Sequence, residues 1–284
     1  MERQLLVQLY RWLRSLEPPG QKRVQFSDLL IVLVFMWAVL RDAPTFWATR
    51  AENWPVEFAW FSPPSPATMS RRLRTPSVQR LLDKALAFLN PPGSKAPEHW
   101  VDGKPLTVGG ATKDPDAKAG RGAGMMAKGY KLHAIWACTG VLEGWSVEPL
   151  NVSELPVAAR MVPTLAGPGY LVGDHLFDWR VLYKLAGERG MQLVVSPEKH
   201  GSATPGVRRQ NAHRVIGLKL AHMPQGQAML RRRFGIDRIF GQMGNTAGGL
   251  GPLPNWVRRL ARVRRWVQAK LIWFCFRRHG KTFT

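Results

Sequence analysis

Only two cysteines, Cys138 and Cys275, occur in 284 residues. Two thiols cannot build a disulfide framework or a multi-cysteine zinc site, and so few of them fit a reducing, cytoplasmic compartment. Long apolar runs are equally scarce. The longest, Leu29 to Leu40, carries no charge but is too short to span a bilayer. It reads as a buried helix opened by Ser27 as cap and Asp28 as first-turn acid. Met1 to Leu16 mixes Glu and Arg into its apolar residues, unlike a secretory signal. Gly120, Gly122 and Gly124 lack the helix with a third glycine that a dinucleotide fingerprint requires. Acidic residues are the remaining shortage, 19 against 41 lysines and arginines, a formal charge of +22. With 45% hydrophobic residues the chain can fill a core, so it reads as one large domain or two modest ones. The basic excess implies a polyanionic partner, with an ordinary basic protein as the plain alternative.

Up to about Trp100 no strand-like alternation appears, and the amino-terminal part, 1–95, reads as all-helical. An amphipathic segment from Met1 to Leu16 stops at Pro18-Pro19-Gly20, and the buried helix to Leu40 precedes a short piece over Phe46 to Glu52. Ser65-Pro66 and Thr75-Pro76 each place a cap and a first-turn proline before helices Ala67–Leu73 and Ser77–Leu89, the latter stopped at Asn90-Pro91-Pro92-Gly93. Arg71, Arg72 and Arg74, beside Thr68 and Ser70, suit contact with phosphates and base edges in double-stranded DNA. Phe46–Glu52 would be the first helix of a helix-turn-helix. A solvated arginine face on a packing helix reads as well.

After Pro97 the period changes to two. Trp100–Val108 reads as a strand, with Pro105 at a bulge or edge position, and Gly109–Ala127 as a mobile loop. Lys128–Cys138 and Val141–Leu150 form a hairpin across Thr139-Gly140. A helix capped by Asn151 or Ser153 runs to about Leu165, then buried strand Tyr170–Gly173, helix Trp179–Arg189 and buried strand Met191–Ser196. Three antiparallel strands extended by crossovers make a mixed α/β sheet. No buried strand is read over 197–225, and a helix is expected from Gln227.

Asp102 lies inside an apolar strand and Asp174 ends the next buried one. A carboxylate there is costly unless paired or bound to a cation, and strand carboxyl ends are where α/β sheets build sites. Alone, Asp102 reads as a bulge acid and Asp174 as a turn residue; together they favour a hard divalent cation held through oxygen. Asp237, four residues after Arg233 and just before Arg238, reads either as an intrahelical ion pair or as a third ligand flanked by phosphate-binding arginines. In the basic tail, Trp256, Leu260, Val263 and Val267 share one helical face while Arg258, Arg259, Arg262 and Arg265 occupy much of the rest. That helix could lie on DNA phosphates or on a membrane surface, and nothing else in the chain is membranous. Trp273, Phe274 and Phe276 read as a final packing segment.

Trp100-Val101-Asp102-Gly103, Lys128-Gly129-Tyr130-Lys131-Leu132-His133, Gly173-Asp174-His175-Leu176-Phe177-Asp178 and Arg233-x3-Asp237-Arg238-x-Phe240-Gly241 follow one another in this order. Over about Phe26 to Phe276 the set resembles the DDE transposases of bacterial insertion sequences. The resemblance implies a ribonuclease-H-like catalytic domain, here 96–250, between a helical DNA-binding domain and a basic segment, 251–284. It implies two divalent ions, Mg²⁺ or Mn²⁺, per site, and metal-dependent cleavage and strand transfer of an element bounded by inverted repeats. The protein would be cytoplasmic and nucleoid-associated, bound as a dimer to double-stranded DNA. Asp102 matches the first catalytic and metal-binding aspartate, Asp174 the second, and Asp237 falls where the family usually has glutamate. Arg233 matches the arginine before that acid, and Lys131 and Arg238 join the arginines above as DNA-contacting. The family's tyrosine and lysine around the third acid are Leu230 and Gly244 here. These departures leave open a catalytically inactive, transposase-derived DNA-binding protein. His133 and His175 read as structural or as contacts to phosphate or metal.

Overall fold

The computed structural model describes residues 2–16, 25–91, 96–122, 124–165, 167–196, 211–245 and 248–279. The stops at Pro18-Pro19-Gly20 and Pro92-Gly93 and the stretch 197–210 lie outside the described residues. The chain divides into two compact units, 1–89 with 243–284, and 90–242. The tail from 251, read from sequence as its own segment, is grouped with the first unit.

In the first unit, α1 (Glu2–Leu16), α2 (Asp28–Leu40), α3 (Pro66–Arg72), α4 (Pro76–Leu89) and α10 (Leu260–His279) are helices. Every residue of α2 except Leu30 is buried, so α2 is the centre around which the others pack. Its start is as expected: Ser27 Oγ accepts from Leu30 N at 3.3 Å, and Asp28 stands in the first turn.

The end of α2 is held by α10. Lys270 Nζ is fully buried and donates to Val39 O at 2.8 Å and Asp42 Oδ1 at 2.5 Å, and Trp273 Nε1 donates to Met36 O at 2.9 Å. A cation aimed at carbonyls of a helix carboxyl end also suits the helix dipole. On its other side α10 sends Gln268 Nε2 to Asp83 Oδ1 of α4 at 2.7 Å. Trp273, Phe274 and Phe276 are buried, as a packing segment requires.

Phe46–Glu52 is not an α-helix. Two 3-10 turns, Trp47–Thr49 and Ala51–Asn53, occupy it, followed by a third at Val56–Phe58. Aromatic anchoring explains the difference. Trp37 Nε1 donates to Asn53 O at 3.0 Å, Trp54 Nε1 to Ala48 O at 2.7 Å, and Trp54 meets Phe61 edge-on at 4.8 Å. These bonds hold backbone groups that a regular helix would use.

The second unit is a six-stranded sheet among the described residues: β1 (Glu98–Thr107), β2 (Lys118–Gly122), β3 (Met125–Ala137), β4 (Leu142–Pro149), β5 (Gly169–Gly173) and β6 (Met191–Val195). β3 pairs antiparallel with β1, β2 and β4, while β1–β5 and β5–β6 are parallel. Helices α5 (Glu154–Met161) and α6 (Arg180–Glu188) supply the crossovers. Val101, Ile135, Leu171, Leu193 and Val195 pack with Val157, Met161, Leu182 and Tyr183 as one core. Helices α7 (Ala212–His222), α8 (Pro224–Arg232) and α9 (Phe234–Asn245) follow. The helix expected from Gln227 is thus two, meeting at Arg233.

The expected loop Gly109–Ala127 is also corrected, since it contains β2. Main-chain pairing of Lys118–Gly122 with Met125–Gly129 holds it there. A Cβ at Gly120 would collide with the Leu150 carbonyl, so this weak strand former is the residue that fits. Pro105 lies beyond the β5 pairing, where β1 pairs with β3 alone, consistent with its missing donor.

Two outcomes test this packing. Lys270→Ala is expected to cost roughly 2–4 kcal/mol in urea unfolding, because it leaves the buried Val39 carbonyl unpaired and a cavity, while Lys270→Met should cost less. His133 is buried on β3 with Nε2 unpartnered, and burial, then Lys131 and Arg160, lower it to about 4. The unfolded chain therefore binds a proton below about pH 6.5 that the folded chain refuses. Stability should fall between about pH 6.5 and 4 by up to about 3 kcal/mol, and His133→Gln should flatten that slope.

Candidate active site

The parallel register of β1 and β5 sets the site. Trp100 pairs with Val172, so Asp102 and Asp174, each two residues further on, leave neighbouring strands in step and on the same face. Adjacent parallel strands lie about 4.8 Å apart, which brings the two carboxylates within electrostatic range.

Each acid is held by its own backbone. Asp102 Oδ1 accepts from Gly103 N at 2.7 Å, and Asp174 Oδ1 accepts from Leu176 N at 2.9 Å, capping the 3-10 turn His175–Phe177. Gly173 permits that turn, since a Cβ there would lie 2.9 Å from the Phe177 ring that folds back beneath it. Gly103 has a similar role: a Cβ would sit 2.8 Å from Lys131 Cδ and 3.0 Å from Glu154 Oε1. The space is filled by the Lys131–Glu154 ion pair, at 2.6 Å.

Asp102 is pushed up to about 6, mainly by burial, against which the Gly103 N–H and Arg233 act and to which Glu154 and Asp174 add. Arg233 Nη1 is 3.1 Å from Asp102 Oδ2. Two cations stand among three carboxylates, and with Lys131 taken up by Glu154 the Asp102–Asp174 pair is left with Arg233, short of positive charge in a chain that has an excess of it. Two strand-end carboxylates so under-neutralised fit an oxygen-binding divalent cation on donor chemistry.

Asp237 stands in the first turn of α9 and is exposed, while Ile236, Ile239 and Phe240 are buried. Helix α9 runs along β1: Gly235 touches the Trp100 ring and the Phe240 ring lies 6.0 Å from Lys104 Nζ. Arg233, at the junction of α8 and α9, bonds Asp102 rather than pairing along the helix with Asp237. Among the described residues no three His, Cys, Asp or Glu side chains form a ready metal-binding group. Asp102 and Asp174 are therefore brought together, and Asp237 is not gathered with them.

Glu154 is the site residue that sequence reading missed. It opens α5 as a first-turn acid, an ordinary helix signal, and only the register of β1 with β3 brings Lys131 and Gly103 to it. Of the basic residues, Lys131 is tied to Glu154 and Arg233 to Asp102. Arg72 is held inside the first unit by Asp28 at 2.7 Å and Phe26 O at 3.0 Å, so it packs a helix instead of facing outward. Arg74 Nε donates to Ser70 O at 2.8 Å. Arg71, Arg238, Arg258 and Arg262 are exposed, and Arg265 is half-buried. His133 is a core residue and His175 is exposed.

The second unit has the antiparallel-then-parallel sheet of a ribonuclease-H-like fold, with flanking helices as expected. The chain is similar to a solved cryo-EM structure of a piggyBac transposase synaptic complex with hairpin DNA, with a TM-score of 0.52 at 11% identity, over 98% of this chain and 73% of that one. At that identity the likeness is one of fold. The transposase DDE domain model matches residues 93–271, and the chain belongs to that family. A comparison with curated proteins finds no match. No helix among the described residues is long and apolar enough to cross a membrane.

Mg²⁺ or Mn²⁺ is expected to raise the thermal midpoint of the protein, and Asp102→Asn to abolish most of that rise. The gain should fade as pH drops through about 6, where a proton on Asp102 competes with the cation. Differential scanning fluorimetry across pH reads both.

Proposed function

We propose that this chain is a metal-dependent DNA transposase that cleaves DNA at the ends of an insertion sequence bounded by inverted repeats and joins the freed ends to a target. The observation that carries the reading is the pair Asp102 and Asp174 at adjacent strand ends, in a chain of the transposase DDE family. Asp102 and Asp174 would hold the divalent cation. The chemistry such a cation supplies is charge neutralisation at a phosphodiester and activation of water for in-line attack.

The rest falls to the protein. Arg233 orients Asp102 while countering part of its charge, and the Gly103 and Leu176 amides keep both carboxylates aimed. A second ion needs a further carboxylate, and two are at hand. Asp237 is our proposed third acid, because its stretch of α9 runs beside β1 and its exposure leaves it open to cation and DNA. Glu154 is the second candidate, favoured by its place beside Gly103 and its effect on Asp102. Arg71, Arg238, Arg258 and Arg262 are exposed cations suited to DNA phosphates. The dimer on DNA follows from the need to join two ends.

Cleavage of DNA carrying the element's borders is the test. Asp174→Asn should lower it at least 1,000-fold, on the order of one lost catalytic carboxylate, with binding kept. Asp237→Ala should do the same and Asp237→Glu should retain activity. If instead Glu154→Gln abolishes cleavage and Asp237→Ala leaves it unchanged, Glu154 is the third acid. Border binding by the unsubstituted chain without cleavage would mark an inactive DNA-binding relative.

A further inference from the structure

A cavity of about 460 Å³ lies wholly within the first unit, between α3, the turn at Pro44–Phe46 and the start of α10. That volume is in the range of small-ligand sites, about 300–1,000 Å³. Arginines from two separate stretches of sequence, the α3 segment and the basic tail, meet in it. Arg74, Arg262 and Arg265 line it, and among the described residues no aspartate or glutamate does. Arg265 Nε is buried without a hydrogen-bond partner. Burial, then Arg262 and Arg74, lower the Arg265 pKa, which marks three mutually repelling guanidiniums with no carboxylate between them. Such a group is built for an anion.

The remaining wall is apolar and aromatic. Phe46 is 53% exposed and Trp256 41% exposed, and both line the cavity. Both rings thus present open aromatic surface on one wall, with the Arg50 guanidinium 5.8 Å from the Phe46 ring centroid. Arg259, also on the lining, has a left-handed φ of 72°, a conformation that non-glycine residues seldom hold without local cause. A bare phosphate or the backbone of a paired duplex would satisfy the arginines and leave the rings wet. The ligand that matches both halves carries an anion and a flat aromatic body on one short frame.

We propose that this cavity binds one unpaired nucleotide of a DNA strand, its phosphate on Arg265, Arg262 and Arg74 and its base against Trp256 and Phe46. The strand is favoured over a free nucleotide because the chain belongs to a DNA-handling family, and this rests on the function proposed above. Paired bases are hidden by stacking, so the nucleotide must be extruded or single-stranded. Stacking on an aromatic side chain tolerates any base, so the pocket would recognise the unpaired state and not a sequence.

The test measures binding by the full chain carrying Asp174→Asn, which removes cleavage from the readout. Fluorescence anisotropy compares a paired hairpin, the same hairpin with one unpaired nucleotide, and one with an abasic residue at that place. The unpaired nucleotide should bind about tenfold tighter than the abasic one, a difference lost in Trp256→Ala and largely kept in Trp256→Phe. Arg265→Gln should weaken the unpaired and abasic hairpins alike, with circular dichroism confirming that each variant is folded. Equal binding of unpaired and abasic hairpins by the parent chain overturns the proposal, as does a preference that survives Trp256→Ala combined with Phe46→Ala. A free deoxynucleoside monophosphate that binds as tightly as the unpaired strand overturns the assignment to a strand. Failure of the parent to bind any of the hairpins overturns the DNA reading itself and this inference with it, whereas paired binding without base preference sinks only the inference.

Discussion

Two carboxylates standing in step at the ends of neighbouring parallel strands are the constraint around which the second unit is arranged. The β1–β5 register puts Asp102 beside Asp174, and a burial-raised Asp102 needs positive charge that the local structure withholds. The chain has cations in excess, yet several of those in the second unit are already engaged. Lys131 is bound to Glu154, Arg232 to Glu98 at 2.5 Å and Arg214 to Asp178 at 2.7 Å, leaving Arg233 as the counter-charge on Asp102. A buried acid so placed is costly as architecture and useful as a cation site.

The two units divide the work by chemistry. The sheet unit concentrates acids that share one strand-end region, and the helical unit concentrates arginines and aromatic rings. Phosphate-bearing polymers suit both surfaces, the first through a bridging cation and the second directly. Membership of the transposase DDE family joins these features into one reading. The two acids proposed above as candidates for a third ligand, Glu154 and Asp237, are carried by α5 and α9.

Much of this was legible in the sequence where a residue's neighbours along the chain determine its state. The hairpin at Thr139-Gly140, the strand before Asp174 and the Ser27 cap all follow from local pattern, although the first hairpin strand starts three residues earlier than expected, at Met125. The Asp102–Asp174 pair was legible because strand ends in crossover sheets converge. What escaped depends on partners remote in sequence. Lys118–Gly122 has no strand propensity and is a strand because β3 offers it a paired edge. Arg72 looked like a DNA contact until Asp28, far back in the chain, took its guanidinium. The Phe46–Glu52 segment lost its helix to tryptophan side chains bonding carbonyls within it and just after it, at Ala48 and Asn53, and Glu154 became a candidate site residue through the strand register that brings Gly103 and Lys131 to it.

The helical unit is discontinuous in sequence, and that orders its assembly on the ribosome. Helix α2 is apolar on every side, and part of its cover is α10, which follows the whole second unit in the chain. The intervening unit, 90–242, is contiguous, so all of its strands and helices emerge before α10 does. Throughout that interval α2 lacks one of its walls, and nascent chains in this state expose the kind of surface that chaperones bind. A chain cut short by a frameshift or premature stop would leave that surface open permanently. Its acid-bearing sheet would be complete in sequence, but attached to an uncovered apolar helix, a product fitted for degradation more than for work on DNA. The position of α10 thus acts as a check, written into the packing, that the second unit has been made.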